Sequence, residues 1–208
     1  LLPANHTIVH AGEELGYSTL LLDGMMARYK DLRDGQRQIT HVHVSGDFAD
    51  LHSFTLKHLD HAVMTLTPCR VARASHERLR RITEQMPHLT RILWFLTTLD
   101  ACIHREWELS LGRRSALQRT AHLFCELQAR LHVVGQANEH GFDLPITQSI
   151  LAECLGLTSV HVNRVLRELR EENLVEFRAG RAAIGDLARL RAVADFDDAY
   201  LYLERRNR

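Results

Sequence analysis

The sequence predicts an α+β protein in which a small β-rich domain precedes several helices and a short β-hairpin. Between residues 7 and 74, turn residues recur roughly every 8–12 positions, which is the spacing of short strands in a sandwich or barrel. Beyond residue 75, apolar residues instead recur at the helical spacing that places them on one face. Because 45% of the 208 residues are apolar, the chain can bury real cores.

The charge balance and the cysteines limit the class of protein. Lys+Arg and Asp+Glu are equal at 26 each, so the chain as a whole lacks the basic footprint typical of nucleic-acid binders. No apolar run approaches ~20 residues and the opening LLPANHTIVHAGEE has no secretory pattern, so we expect no membrane contact. That opening lacks an initiator Met, which leaves open whether residues precede it. Widely spaced cysteines predict reduced, buried thiols in a cytoplasmic protein rather than a zinc or iron–sulfur site: Cys69, Cys102, Cys125 and Cys154.

Turns that contain glycine divide the first domain into strands. Asp-Gly pairs at 23–24 and 34–35 predict tight turns, because glycine adopts positive φ without a steric penalty. In the strand after the second turn, His41 and His43 share one face with Ile39. The predicted strands cover 17–22, 25–30, 38–44, 62–66 and 70–74, with an irregular or helical piece at 48–59.

The helical part is predicted to begin after Ser75, which is a suitable N-cap for a helix that ends near Gln85. Pro87 fits the first turn of a long helix that ends at Gly112. Apolar residues along the long helix follow a heptad spacing, which predicts either a seam between two helices of a dimer or one amphipathic helix packed on its own domain. The seam residues are Leu89, Ile92, Leu96, Leu99, Ile103 and Trp107.

A capping box opens the next helix. Ser115 and Gln118 form an S-x-x-Q pair, in which each side chain accepts a hydrogen bond from the other residue's backbone N–H. This helix is expected to run to about Val134 with Phe124 in the core. A polar loop is expected at 135–145.

Two short helices joined by a tight turn are predicted within 147–174. Thr147 and Thr158 are suitable N-caps, and Gly156 can supply the left-handed residue that ends the first helix. This pattern is typical of a helix-turn-helix, which places its second helix in the DNA major groove and usually acts in pairs, so the dimer seam is favoured. The residues predicted to contact DNA are Thr147, Gln148, Thr158, Ser159, Val160, His161, Asn163, Arg164 and Arg167.

A β-hairpin predicted at 174–184 would form the wing of a winged helix. Arg178 and Arg181 flank its tip, where they are placed to contact phosphates. Arg167 has a second interpretation, because a surface ion pair with Glu171 at helical spacing would engage its charge instead.

This order of elements, and the segment LAECLGLTSVHVNRVLRELREENLV in particular, resembles the cyclic-AMP receptor protein/FNR (Crp/Fnr) family of bacterial transcription regulators. The resemblance covers essentially residues 1–185. It implies a β-roll (a cyclic-nucleotide-binding-like jelly roll) at 1–86, a dimerisation helix at 87–112, a winged helix-turn-helix at 113–185 and a helical extension at 186–208. It also implies a cytoplasmic homodimer that binds double-stranded DNA at a palindromic operator, contacts RNA polymerase and is not an enzyme.

The residues that match the family's base-reading positions depart from its usual pattern. By motif position these are Ser159, Val160 and Arg164, and only Arg164 keeps the family's residue type. Val160 is suited to contact a thymine methyl group instead of a base edge. The resemblance therefore implies an atypical half-site.

The region that matches the family's nucleotide pocket also departs from it. In cyclic-nucleotide binders a Gly-Glu pair and an Arg-Ser/Thr-Ala stretch hold the ribose and phosphate, whereas the matching positions here read AD at 49–50 and LDH at 59–61. No Arg lies between residues 46 and 68, so the phosphate would lose its cation and meet an acid. We therefore expect a degenerate pocket that responds to an unknown signal or to none, with no cofactor. Its residues are Asp47, Phe48, Ala49, Asp50, Leu59, Asp60 and His61.

Two other functions remain open. Because imidazole ligates haem and metals, the 14 histidines allow a haem- or metal-dependent gas or redox sensor. His41 and His43 share a strand face, but the sequence identifies no third ligand and we expect no bound metal. The other alternative is a ligand-binding or adaptor protein whose helix-turn-helix makes protein contacts. No G-x-S-x-G, P-loop or H-E-x-x-H motif supports an enzyme.

Overall fold

A computed structural model describes residues 1–204 and divides the chain into two compact units, Leu1–Ile103 and His104–Leu203. Antiparallel strands build the first unit, in a four-stranded sheet of order β1-β5-β3-β4 and a two-stranded sheet of β2 and β6. The strands are β1 (Thr7–Val9), β2 (Tyr17–Asp23), β3 (Met26–Asp31), β4 (Arg37–His43), β5 (Ala62–Thr65) and β6 (Arg70–Ser75).

The turn between β2 and β3 requires the glycine that the sequence places there. Gly24 has φ +96°, and a Cβ at this position would lie 2.5 Å from the carbonyl oxygen of Pro68. Any larger residue would therefore force the turn away from the neighbouring strand. The core behind this turn consists of Val9, Leu15, Leu21, Met26, Ala49, Leu59, Val63 and Cys69.

Three helices follow or interrupt these strands: α1 (Ser53–Leu56), α2 (His76–Gln85) and α3 (Pro87–Arg113). The Ser75 side chain accepts a hydrogen bond from Arg78 N–H, which confirms the predicted N-cap of α2. The prediction that Gly112 ends α3 is wrong, because Gly112 lies inside this helix. Helix α3 stops after Arg113 because Ser115 adopts the extended conformation of the next N-cap (ψ 163°).

The second unit is built on α4 (Ala116–Val133), which is buried along most of its length. Both hydrogen bonds of the predicted capping box between Ser115 and Gln118 are present. The polar loop expected at 135–145 is wrong, because it contains two strands of a four-stranded sheet. Its Gly141 has φ +131°, and a Cβ there would overlap the Ala182 carbonyl oxygen at 2.0 Å. The sheet has the order β7-β8-β10-β9, with β7 (Ala137–Asn138), β8 (Gly141–Asp143), β9 (Val175–Arg178) and β10 (Arg181–Ile184).

The remaining helices of this unit pack around α4. The expected C-terminal extension forms a helix and a 3₁₀ turn at Asp198–Leu201, as predicted, and residues 205–208 of it lie outside the described residues. Within residues 1–204 no helix combines the length and hydrophobicity needed to cross a bilayer. The helices that pack around α4 are α5 (Gln148–Leu155), α6 (Ser159–Glu171) and α7 (Leu187–Ala194).

Candidate nucleic-acid interface and effector pocket

Three local signals shape the pair of helices α5 and α6. Thr147 Oγ1 accepts a hydrogen bond from Ile150 N–H at 3.2 Å, and Thr158 Oγ1 accepts one from His161 N–H at 3.2 Å. Between the helices, Gly156 is left-handed with φ 59°. Both predicted N-caps and the predicted turn residue are confirmed, so the helix-turn-helix follows from local chemistry.

Helix α6 separates an apolar face from a polar one. Its buried residues are Val162, Val165, Leu166 and Leu169, at the spacing predicted for the inward stripe. On the opposite face Val160 is 81% exposed. The outward face of α6 is therefore not covered by the rest of the chain at this residue.

Arg164 is held in place on that outward face by His161. The guanidinium Nη2 lies 2.7 Å from His161 Nε2. Because a guanidinium only donates hydrogen bonds, Nε2 must accept, so this contact requires the neutral His161 tautomer with its proton on Nδ1. The remaining guanidinium donors of Arg164 can meet a guanine edge.

The neighbouring polar residues of α6 differ in how far they are engaged. Asn163 Nδ2 donates to the Ser159 carbonyl oxygen at 2.9 Å, which leaves its own amide oxygen unused by this contact. Within residues 1–204 the structure records no ion pair for Arg167, so the alternative pairing with Glu171 is not formed.

The hairpin of β9 and β10 forms the predicted wing. Arg178 and Arg181 are directly opposite each other across its tip, and Arg181 Nη1 also lies 2.9 Å from Asp143 Oδ1. Between this wing and α6 lies a groove of about 390 Å³, in which Arg170 adds a cation that the sequence did not single out. The groove is lined by Gln148, Asn163, Leu166, Arg167, Arg170, Glu176, Phe177 and Arg178.

The residues expected to form the nucleotide pocket do not form one phosphate cradle. Leu59 belongs to the hydrophobic core, and Asp60 lies at the surface with its carboxylate 2.9 Å from Lys30 Nζ. Hydrogen bonds from Lys30 and His61 hold the pKa of Asp60 well below its usual range. The predicted acid that would repel a phosphate therefore faces a lysine at the surface instead.

The other positions of the predicted pocket are mostly buried. Asp50 is fully buried and accepts a hydrogen bond from Thr19 N–H, and burial raises the pKa of its carboxyl to about 6. Phe48 is half-buried, beside Leu20, while Ala49 is fully buried. His61 is also partly covered, and its Nε2 lies 3.4 Å from His52 Nε2.

A buried arginine lies against this region, which sequence reasoning missed. Arg28 is only 2% exposed, and its Nε donates to the Ala49 carbonyl oxygen at 2.8 Å. Its Nη1 also donates to both carboxylate oxygens of Asp100, at 2.9 and 2.7 Å. Arg28 comes from β3, outside residues 46–68, the stretch in which the sequence offers no arginine. An arginine within the apolar run MMARY was the available signal.

Asp100 also holds a histidine. His41 Nδ1 lies 3.1 Å from Asp100 Oδ1. Burial acts to raise the pKa of Asp100, but the hydrogen bonds and charges of His41 and Arg28 outweigh it, so the pKa falls well below its usual range. The Asp100 carboxylate therefore stays ionised in the interior of the first unit.

The rings of His41 and His43 stack in parallel, with centroids 4.3 Å apart and planes 7° from each other. His43 is 1% exposed, and neither of its ring nitrogens has a hydrogen-bond partner. Burial and the charge of Arg28 together lower the pKa of His43 to about 4. The sequence identifies no third ligand for this pair, and in the structure Asp47 places a carboxylate oxygen within 4.8 Å of a ring nitrogen of each histidine.

The residues of the predicted dimer seam differ in exposure. Leu89 is exposed, whereas Ile92, Leu96 and Leu99 are half-buried within a single chain. The last two, Ile103 and Trp107, are buried in a single chain, so no partner helix is needed to cover them. The exposed apolar surface along this series lies on its first four residues.

Two family models match the chain, the cyclic nucleotide-binding domain at residues 1–86 and the Crp-like helix-turn-helix domain at residues 118–193. The transcriptional activator protein FnrL of Cereibacter sphaeroides is 27% identical over 192 residues, which cover 90% of this chain and 76% of FnrL. The nitrogen fixation regulation protein FixK of Bradyrhizobium diazoefficiens is 30% identical over 179 residues, which cover 84% of this chain and 72% of FixK. The chain belongs to the Crp/Fnr family.

The solved structure of FixK2 from Bradyrhizobium japonicum has the same fold as this Crp/Fnr protein. The two superpose with a TM-score of 0.83 at 24% identity, over 92% of this chain and 94% of FixK2. The predicted family and fold class are confirmed, with a β-roll followed by helices and a winged helix-turn-helix. The protein is a transcription regulator with a helix-turn-helix DNA-binding domain, and its homologues are regulators rather than enzymes.

Proposed function

We propose that this Crp/Fnr regulator binds a palindromic operator as a homodimer, with α6 of each chain in the major groove. The observation that carries the proposal is the contact of Arg164 with His161 at 2.7 Å on the outward face of α6. A guanidinium fixed in this way loses less side-chain entropy when it meets a base edge. Arg164 is proposed to read a base. Thr147, Gln148 and Thr158 lie at helix starts suited to phosphates, and Ser159, Val160, His161 and Asn163 lie on the outward face.

The wing groove is proposed to contact the DNA backbone. Arg167, Arg170 and Arg178 line it against a single acid, Glu176. Phosphate contacts of this kind position a protein without reading sequence. This locally basic groove is consistent with DNA binding even though the chain as a whole has equal numbers of acidic and basic residues.

Selection of binding sites from a random DNA pool tests whether α6 recognises a DNA sequence. We expect enriched sites with two half-sites about 34 Å apart on one face of the duplex. Arg164→Ala should weaken the selected site by ~1–3 kcal/mol and relax the preference at one base pair of each half-site. Arg113→Ala removes an exposed arginine outside α6 and should leave that preference unchanged. Failure to enrich any sequence at low salt would contradict sequence-specific DNA binding by α6.

We propose that α3 pairs with its copy in the homodimer. Leu89 is 42% exposed, and Leu96 is half-buried on the same helix face, so an apolar strip remains for a partner. Leu96→Asp should reduce the dimer fraction in light scattering, because the dimer would bury an unpaired carboxylate. Thr97→Asp places the same charge on an exposed neighbouring position and is expected to leave the mass unchanged. An equal dimer fraction in both variants would remove α3 from the interface.

We further propose that cyclic AMP does not switch this regulator. The one buried cation at the pocket, Arg28, is already committed to Asp100 and to the Ala49 carbonyl oxygen. A cyclic phosphate would have to break this pairing within a buried site, which is costly. We expect operator affinity to be the same with and without cyclic AMP, and a cyclic-AMP-dependent affinity would contradict the proposal.

The cellular location and the protein partner are also proposed from membership of the Crp/Fnr family. A regulator of this kind acts in the cytoplasm, where the chromosomal DNA lies, without enzymatic activity and in contact with RNA polymerase. Co-purification of RNA polymerase on the selected operator, compared with a scrambled operator, would test that partner.

A further inference from the structure

In the stacked histidine pair of the first unit, the ring nitrogens of His43 are buried and unpaired. The His43 side chain is only 1% exposed, yet neither of its ring nitrogens has a hydrogen bond. Buried polar groups in native proteins are almost always paired, so such an exception calls for an explanation. A bound cation that accepts the imidazole lone pair would supply a partner for one of these two nitrogens.

The local backbone brings a carboxylate to the same place. His41 and His43 alternate along β4 and so project from one face of the sheet. Directly after the strand, Asp47 is folded back by two hydrogen bonds with Val44: its Oδ2 accepts from Val44 N–H at 2.9 Å, and its own N–H donates to the Val44 carbonyl oxygen at 3.1 Å. The left-handed Gly46, with φ 98°, makes this turn possible.

The distances suit a small cation. One ligand atom each from His41, His43 and Asp47 lies within 4.8 Å of the others, and His43 Nδ1 is 3.7 Å from Asp47 Oδ2. Metal–ligand bonds of about 2.0–2.2 Å in a tetrahedral zinc site place neighbouring ligand atoms about 3.3–3.6 Å apart. The pair of atoms at 3.7 Å is too far apart for a hydrogen bond but close to this spacing.

The charges of the cluster also favour a cation. The ion pair of Arg28 and Asp100 is neutral overall, and Asp47 adds a carboxylate beside the two imidazoles. Asp100 lies 3.1 Å from His41 Nδ1, and a carboxylate in such a position orients a metal-binding histidine. The Asp47 side chain is 30% exposed, so an ion can enter from solvent at this residue.

We propose that His41, His43 and Asp47 bind a divalent first-row transition metal ion. Two imidazoles and one carboxylate form a donor set that zinc and ferrous iron accept, with coordination positions left for water or a small ligand. The site lies in the first unit and is independent of DNA reading by α6. It would give the β-roll a ligand other than a nucleotide.

Calorimetric titration with Zn²⁺ tests the site on the full chain, after treatment with a chelator and removal of the chelator. Wild-type protein should bind one Zn²⁺ per chain at this site. The His43→Ala variant should bind this ion at least about tenfold more weakly, because it loses a direct ligand. The matched control is His58→Ala, which removes an exposed histidine of the same unit and should keep wild-type affinity.

Two results would overturn the proposal. One is wild-type protein that takes up no Zn²⁺, and the other is equal Zn²⁺ affinity in His43→Ala and His58→Ala, which would place the ion elsewhere. If His43→Ala fails to fold, the imidazole ¹⁵N resonances of wild-type protein decide. Zn²⁺ should shift those of His41 and His43 and leave that of His58 in place, and any other pattern rejects the site.

Discussion

Glu126 in the second unit and His43 in the first are both excluded from solvent, yet their polar atoms are satisfied to different extents. Glu126 accepts hydrogen bonds from Trp107 Nε1 at 3.1 Å, from Arg130 Nη1 at 3.2 Å and from the Tyr200 hydroxyl at 2.8 Å. His43 has no hydrogen bond at either ring nitrogen. One centre is completed by the protein itself, and the other is not.

The difference distinguishes a structural centre from a candidate binding centre. Burial raises the pKa of Tyr200, and the Glu126 charge raises it further, so the phenol remains a donor throughout the physiological range. The carboxylate of Glu126 thus has fixed donors and no place for a ligand. At His43 the protein supplies no hydrogen-bond partner for either ring nitrogen. A completed network stabilises a fold, whereas an incomplete one is free to respond to something that binds.

The largest effect should come from removing the centre of the completed network. Glu126→Ala leaves Arg130 buried without its carboxylate, and we expect a loss of about 3–5 kcal/mol in the free energy of unfolding. Urea unfolding in a Trp94→Phe background measures this, because Trp107 is then the sole tryptophan and reports on the second unit. Glu108→Ala, at an exposed position, should change stability by no more than about 0.5 kcal/mol. A loss as small as that for Glu126→Ala would contradict a structural role.

A somewhat smaller effect is expected for the ion pair of the first unit. Asp100→Asn removes the negative charge that pairs with the Arg28 guanidinium and leaves one neutral amide oxygen as acceptor, and we expect a loss of about 2–4 kcal/mol. The effect is reduced because the Asp100 side chain is 21% exposed. The double variant Arg28→Met/Asp100→Leu should regain most of this stability in thermal unfolding. If the double variant is less stable than Asp100→Asn, the pair does more than neutralise itself.

Acid should weaken the second unit through His122. Burial and the charge of Arg114 together lower the pKa of His122 to about 3. The unfolded chain takes up this proton near pH 6.5, so the stability contribution is complete above that pH and is lost as pH falls toward 3. At pH 5 the loss should be about 2 kcal/mol.

His122→Phe isolates this contribution to acid sensitivity. Phenylalanine preserves the ring contacts with Phe196 and Tyr200, whose centroids lie 5.0 and 6.0 Å away, and has no group to titrate. The stability of the variant should therefore change less between pH 7 and pH 5 than that of wild-type protein. Equal changes in both proteins would mean that Glu106, 3.2 Å from His122 Nε2, compensates the proton in the folded state.

The smallest effect should come from one donor of the completed network. Tyr200→Phe removes a hydrogen bond to an ionised carboxylate and should cost about 1.5 kcal/mol in unfolding free energy. Tyr202→Phe, which alters an exposed tyrosine of the same extension, provides the comparison. A loss in the first variant close to that in the second would show that Trp107 and Arg130 suffice for Glu126.

The helix-turn-helix of α5 and α6 could be predicted from the sequence because its geometry is set by residues that are close to one another along the chain. Thr147, Gly156 and Thr158 act on backbone groups within three or four residues, so the type and spacing of residues determine the caps and the turn. The capping box of Ser115 and Gln118 follows the same rule. A cap needs no knowledge of the rest of the fold.

The buried centres could not be predicted because their partners are distant in sequence. Arg28 and Asp100 are separated by 72 residues, and nothing local marks them as a pair. The two-strand hairpin at 137–143 was also missed, since strands this short carry no periodicity to detect. Leu59 was assigned to a pocket by alignment, but its packing in the core is a property of the folded sheet.

The hydrogen bond of Tyr200 with Glu126 also bears on the order in which the protein is made. The two residues are 74 positions apart, and the helix-turn-helix lies between them. During synthesis on the ribosome, α5 and α6 therefore leave the exit tunnel before Tyr200, which donates the hydrogen bond to the buried Glu126. The nascent chain exposes a capped recognition helix while its supporting unit still lacks one donor, and the unit reaches its final stability only after Tyr200 has emerged.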